Sequence, residues 1–342
     1  MGRVTSRSQR FQMPQHPTWL DWLVLFGLSI LWAGSFTLIK WALISFSPAA
    51  ITASRTAIAA GVLLMVLMIK GKRLPPVWPR PDPFWGWVVA MGGFGCTLPF
   101  TLLNSSEQVI SSGMAAILNA TTPMFVAIVA PYFLRGEHWT LPKAIGISVG
   151  FAGVAILVGV EIFQQLGGPR LWAQLMVLVV AVSYAINSML TRRMPRMDPW
   201  LVATGTSLAA AIMSLPLFVV FPVFTGPVVP EALAAVMALG LGATALGSVS
   251  LIWLISRTSA LFATTVNYII PFWAVAFGAW FLGEQLPGRA FGALALILLG
   301  IAISQWRLRP DRPGTSYGPM VPGPLPGRVH GGSPDEQTRR PD

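Results

Sequence analysis

Three kinds of residue in this 342-residue chain could handle a solute inside an apolar environment. Arg55 is a cation about eight residues into a long apolar run, or about 12 Å from its nearer end at ~1.5 Å per residue. A guanidinium at that depth costs about 2.5–3.5 kcal/mol on insertion scales unless it is paired or hydrated. It is therefore expected either to draw a carboxylate or other anionic group into a watery cavity, or to snorkel or pair with Glu107. Asn119 and Asn267 each stand four residues before a proline, Pro123 and Pro271. A proline inside a helix removes one backbone hydrogen bond and displaces the carbonyl four residues earlier. Each pair then offers a freed carbonyl beside a carboxamide on one kinked turn. The third kind is a set of shared helical faces: Trp32, Ser35 and Phe36 in one run, Tyr184, Asn187 and Ser188 in another. Together with Asn104 and Tyr268, such aromatic walls carrying a few polar groups would suit an amphipathic small-molecule substrate. The competing role for the same side chains is packing and interhelical hydrogen bonding.

Other chemistries find little support. Cys96 is the single cysteine, and His16, His138 and His330 all fall outside the apolar runs, so neither a disulfide framework nor a metal site is expected. No phosphate-binding Gly-x-x-x-x-Gly-Lys-Ser/Thr motif occurs, and no cofactor is implied. Glu137 and Glu284 each follow a glycine at the end of an apolar run, a placement that favours a structural corner bonding free backbone amides over a proton relay. Lys40 lies late enough in its run to reach an interface, where snorkelling costs little.

The elements that must position these residues follow from composition. Hydrophobic residues make up 54% of the chain and charged residues 10%, with mean hydropathy +0.66, whereas soluble chains carry about 25% charged residues. The apolar excess falls into ten segments near the ~20 residues needed to cross a bilayer: 21–43, 48–69, 85–104, 109–133, 141–160, 171–190, 200–222, 232–256, 260–282 and 289–306. The first is expected to be a retained span, because it is too long for a signal-peptide core. Residues 1–19 are polar and basic, and residues 307–342, rich in Pro, Gly and Arg, are expected to form a disordered tail.

Net charge is +11, which in a soluble protein would point to nucleic acid. Here the cations follow the topology. Apart from the tail, thirteen lie in the N-terminal segment and the loops of one side, against Arg170 and Arg289 on the other. The positive-inside rule then places both termini in the cytoplasm, and nucleic acid is not needed to explain the basic charge. Small-residue patterns such as Gly146-Ile-Ser-Val-Gly150 and Gly240–Gly247 permit close helix approach, within the bundle or between the two copies of a homodimer.

The chain also resembles itself. Residues 119–137 read NATTPMFVAIVAPYFLRGE and residues 267–284 read NYIIPFWAVAFGAWFLGE, matching Asn, Pro and the closing Gly-Glu. FAGVAIL at 151–157 pairs with LLGIAIS at 298–304, and WAGSFTLIK (32–40) more weakly with YAINSMLTR (184–192). Each copy holds five spans, an odd number, so the second copy is inverted relative to the first. Inverted halves suit transporters, because exchanging their conformations opens a central site to alternate sides.

These features together resemble the drug/metabolite transporter superfamily and its EamA-type ten-helix permeases: WAGSFTLIK in the first span, Arg55-Thr-Ala-Ile-Ala in the second, GMAAILNATTPMFVAIVA running to Gly136-Glu137, and the second copy from Ala263 to Glu284. The resemblance covers residues 20–306 and implies an all-α membrane protein of ten transmembrane helices. These form two inverted five-helix repeats, residues 20–160 and 170–306. It also implies an inner-membrane permease in the lipid bilayer for small organic solutes, often an exporter of amino acids or related metabolites. The alternatives are a lipid-linked or nucleotide-sugar flippase, which would want a more basic cavity, and a membrane-embedded transferase, which would want paired carboxylates or metal ligands.

Overall fold

The computed structural model describes residues 17–78, 82–134, 137–164, 167–195, 197–258, 262–263 and 265–305. The expected disordered tail and most of the basic N-terminal segment lie outside these residues. Helices are the only regular elements among the described residues, with one isolated bridge between Phe46 and Phe224 in the connections. Eight spans are long and apolar enough to cross a membrane. They are Trp19–Ala42, Pro48–Ile69, Pro83–Ser106, Ser112–Phe133, Leu141–Gly159, Pro169–Arg193, Pro199–Val220 and Pro230–Leu254. The shorter apolar helices Val266–Leu282 and Gly288–Ser304 complete a set of ten, numbered here as spans one to ten. Five spans form each half, and the halves run in opposite senses.

Span starts follow local chemistry. Span one opens on a capping box, in which the Thr18 hydroxyl accepts from the Asp21 N–H while the Asp21 carboxylate accepts from the Thr18 N–H. Spans two, three and seven each begin with a side-chain cap followed by proline: Ser47-Pro48, Asp82-Pro83 and Asp198-Pro199. Proline suits that first position, where no backbone donor is needed and its fixed φ is already helical. Span nine ends on Gly283, whose φ of 63° lies in the left-handed region that favours glycine.

Asp198 also pairs with Lys72 across the two halves. Burial raises the Asp198 carboxyl, but the Lys72 ammonium and the N–H groups of Trp200 and Leu201 outweigh it and hold it below the ordinary carboxylate range. The depressed value makes the contribution to stability full above the unfolded aspartate pKa of ~3.9, and it is lost as pH falls through the folded value. Asp198→Ala is expected to cost about 1 kcal/mol at neutral pH. In thermal melts the gap between wild type and variant should close as the buffer is made more acid.

Lipid tails are as apolar as the side chains, so spans associate through close packing and hydrogen bonds rather than by escaping water. Accordingly the outer surface carries exposed Met68, Ile69, Trp172, Val219 and Trp280, while glycines sit where helices cross. A Cβ built on Gly146 would overlap the Gly300 carbonyl, and one on Gly300 would lie 2.5 Å from both the Gly146 carbonyl and the Gly150 nitrogen. The small-residue pattern of span five thus packs against span ten.

The two ends of the bundle are joined across the halves. At the end away from residue 17, here the distal end, the Ser47 N–H donates to the Val223 carbonyl at 3.0 Å and the Thr225 N–H to the Ser45 carbonyl at 3.0 Å. At the near end Arg257 Nε donates to the buried Asp21 carboxylate at 3.1 Å.

Candidate functional site

Spans three and eight are not continuous α-helices. Each widens into a π-helical stretch, Gly93–Thr97 in one and Leu239–Leu246 in the other. Both carry the same Gly-x-Gly-x-Thr pattern, Gly93-Phe-Gly-Cys-Thr97 and Gly240-Leu-Gly-Ala-Thr244. Such stretches break the ordinary i→i−4 ladder and recur at functional sites. Here their glycines let other spans approach. A Cβ on Gly95 would lie 2.8 Å from the Asn187 carboxamide, one on Gly240 2.7 Å from Ile58, and one on Gly247 2.6 Å from the Trp32 indole nitrogen. Span three thereby meets span six of the other half, while span eight meets spans one and two.

Arg55 sits where these elements converge. It is 4% exposed, its Nε donates to Thr244 Oγ1 at 3.2 Å, and its guanidinium lies over the Phe100 ring, 3.8 Å from the centroid. Thr244 is oriented for this contact because its hydroxyl donates to the Leu239 carbonyl of the same stretch. Tyr184, Cys96 and Glu107 are titratable groups in the guanidinium's surroundings. No salt bridge joins Arg55 to a carboxylate among the described residues. The expected fixed pair with Glu107 is therefore not formed. The aromatic face offers a cation a favourable quadrupole, but it leaves the terminal guanidinium N–H groups without an oxygen acceptor among the described residues.

Trp32, read as part of a solute-facing wall, donates from Nε1 to the Ala243 carbonyl at 3.0 Å, so its indole also braces the second π-helical stretch. The Ser35 hydroxyl donates to the Trp32 carbonyl of its own helix at 2.5 Å. Tyr184 and Asn187 share one face of span six beside the first stretch, and the buried Asn187 Oδ1 has no hydrogen-bond partner among the described residues. Thr206, which stands in span seven where Arg55 stands in span two, likewise has a buried, unpartnered hydroxyl.

The other sequence candidates lie in different surroundings. Asn104 is fully buried, and its Nδ2 donates to the Pro48 carbonyl at 3.2 Å and Thr52 Oγ1 at 3.0 Å, tying span three to span two. Asn119 ends the first half of span four, with Oδ1 buried and unpartnered among the described residues. The break precedes Pro123, which occupies the first turn of the second half-helix, Thr122–Phe133. The Asn119 carbonyl expected to be free is taken by the Thr122 hydroxyl at 2.7 Å. Pro271 does lie inside its helix, after the partly exposed Asn267, and the Tyr268 hydroxyl is engaged by the Gln305 side chain.

At the distal end, Lys40 turns inward rather than outward. Its ammonium donates to the Glu107 carbonyl at 2.5 Å and the Ile110 carbonyl at 2.7 Å. Glu284 accepts from the Ser112 N–H and hydroxyl, both at 2.8 Å, and from the Gly113 N–H at 3.2 Å. It thus caps span four from the opposite half, as its place in a Gly–Glu corner suggested. Gly278 makes room for that cap, since a Cβ there would lie 2.6 Å from Glu284 Oε2. Phe100, Cys96 and Thr244 were not among the sequence candidates, although the duplicated Gly-x-Gly-x-Thr pattern was visible beside two of them.

The sequence model of the EamA-like transporter family matches residues 19–159 and 171–306. An uncharacterized transporter of Archaeoglobus fulgidus is 29% identical over 292 residues, covering 82% of this chain and 97% of that protein. A probable terminal-alkyne amino-acid exporter of Streptantibioticus cattleyicolor is 28% identical over 279 residues, covering 80% and 89%. A solved crystal structure, 22% identical, matches with a TM-score of 0.59 over 84% of this chain and 97% of that one, a likeness of fold.

Proposed function

The chain belongs to the EamA-like transporter family, and from that premise we propose that it exports a carboxylate-bearing metabolite, an amino acid or a close relative, across a bacterial inner membrane by alternating access. The observation that carries the substrate class is Arg55. It is a buried cation held by Thr244 and stacked on Phe100, with no ion-pairing carboxylate among the described residues. A solute carboxylate would meet the terminal N–H groups in the bidentate geometry that a guanidinium favours. Tyr184, the Asn187 carboxamide and Trp32 would border the rest of the solute. Alternating access is supported by the inverted halves, which place each π-helical stretch against spans of the other half. Export is supported by the relative named as an amino-acid exporter. The cation asymmetry supports an orientation with both termini in the cytoplasm and the distal end outside.

The test is efflux from proteoliposomes loaded with a mixture of amino acids and with the amines that lack only their carboxylates. At least one amino acid should leave in a protein-dependent way while its matching amine stays behind. Equal efflux of both would remove the role assigned to Arg55. No flux of any loaded solute would count against the substrate class.

A further inference from the structure

Spans one, three, four and nine meet at the distal end around a carboxyl group that forms no ion pair among the described residues. Glu107 directly follows span three and is 0% exposed, and neither carboxylate oxygen has a hydrogen-bond partner among the described residues. Three charged groups face it from neighbouring elements: Lys40 on span one, Arg55 on span two, and Glu284 after span nine. Burial opposes the ionised form and Glu284 adds to that, whereas Lys40 and Arg55 favour it. Neither cation forms a salt bridge with the carboxylate among the described residues. The Lys40 ammonium is directed to two backbone carbonyls, and Arg55 Nε is bonded to Thr244. Glu284 itself is held by three donors, two of them backbone N–H groups.

An ionised carboxylate shut away from water without a donor costs several kcal/mol. The protonated group lacks only its hydrogen bonds, which is far less costly. The halves are joined at this same end by the Glu284 cap on Ser112 and Gly113 and by the Ser47–Val223 and Ser45–Thr225 backbone bonds.

We propose that Glu107 is a proton-binding site of the distal gate, taking one proton from water as that end closes and returning it when the end opens. The proton moves between bulk water and one carboxylate oxygen, and nothing else is consumed. Because the closed state binds the extra proton, acid favours closure. Between the protonation constants of the two states, the closed-to-open ratio rises up to tenfold per pH unit of acidification. The pH of the distal compartment thereby sets the balance between the two states. The proposal rests on the alternating-access reading above, but not on the solute's chemical class.

The test uses the full chain in lipid nanodiscs, carrying Cys96→Ala (alanine being the residue at the matching place, Ala243). Spin labels are attached at Val109→Cys and Val228→Cys, both on the exposed distal surface, and distances are read by double electron–electron resonance across a pH series. The short-distance population is expected to grow on acidification in wild-type background, to stay high at every pH in Glu107→Gln, and to respond with a displaced midpoint in Glu107→Asp. Infrared spectra of the closed protein should show a carboxylic-acid C=O band that Glu107→Gln lacks. An unchanged pH response in Glu107→Gln, or closure favoured by alkali, would overturn the proposal alone. A single distance at all pH values in every variant would overturn the alternating-access reading and the proposal with it.

Discussion

Arg55→Gln is expected to lower transport of a carboxylate-bearing solute by about 10- to 150-fold while the protein still folds. The magnitude is the ~1.5–3 kcal/mol assigned to hydrogen bonds with charged groups, converted at about 1.4 kcal/mol per decade. Glutamine keeps a donor near Thr244 Oγ1 but removes the charge. Stability should hold or rise, because Arg55 is a buried cation without a carboxylate partner among the described residues, and replacing such a charge seldom destabilises a fold. Arg55→Lys should fall between wild type and Gln. It retains the charge but not the planar fork that both stacks on Phe100 and meets two carboxylate oxygens. The measurements are initial efflux rates and thermal unfolding of the same preparations. Wild-type flux from Arg55→Gln would leave the cation with a structural role only.

The second large effect concerns the fold. Gly300→Ala should destabilise the bundle by about 1–3 kcal/mol or more, at the upper end of what overpacking costs, and Gly300→Leu should fail to accumulate in the membrane. At Gly300 the atoms a new Cβ would strike are the Gly146 carbonyl and the Gly150 nitrogen, and at Gly146 they are Gly300 and Ser304 backbone. Backbone cannot swing aside as a side chain does, so the two helices must separate. Gly292→Ala on the same helix is the control, because nothing lies within 4 Å of its Cβ position. There alanine should be neutral or stabilising by about 0.5–1 kcal/mol, from its better helix propensity. Equal melting temperatures for Gly300→Ala and Gly292→Ala would mean that the span five to span ten contact carries little of the stability.

Sequence alone was sufficient for the all-helical membrane architecture, and for physical reasons. A bilayer demands internally satisfied backbone over about twenty apolar residues, so each span announces itself within a short window. Prolines after Ser47, Asp82 and Asp198 mark where spans start, since cap and first-turn chemistry is local. The repeated Asn–Pro and Gly–Glu positions revealed the two halves for the same reason, each copy needing the same local turns. Arg55 was singled out because its cost at that depth depends on the membrane and not on any partner.

What only the tertiary structure decided is who meets whom. That Lys40 caps two carbonyls instead of snorkelling, that Glu284 reaches Ser112 and Gly113 in the other half, and that Glu107 has no donor among the described residues all depend on the register between spans far apart in the chain. The π-helical stretches belong to this class as well. Their Gly-x-Gly-x-Thr pattern is written twice in the sequence, yet a widened turn is held by what packs into it. Here that is Trp32 on the Ala243 carbonyl and Arg55 on Thr244. Local patterns set where helices run, because the bilayer acts on each span separately. The partner of each buried polar group is set only when ten helices are packed together, since a hydrogen bond requires two atoms about 3 Å apart and no single helix fixes that distance.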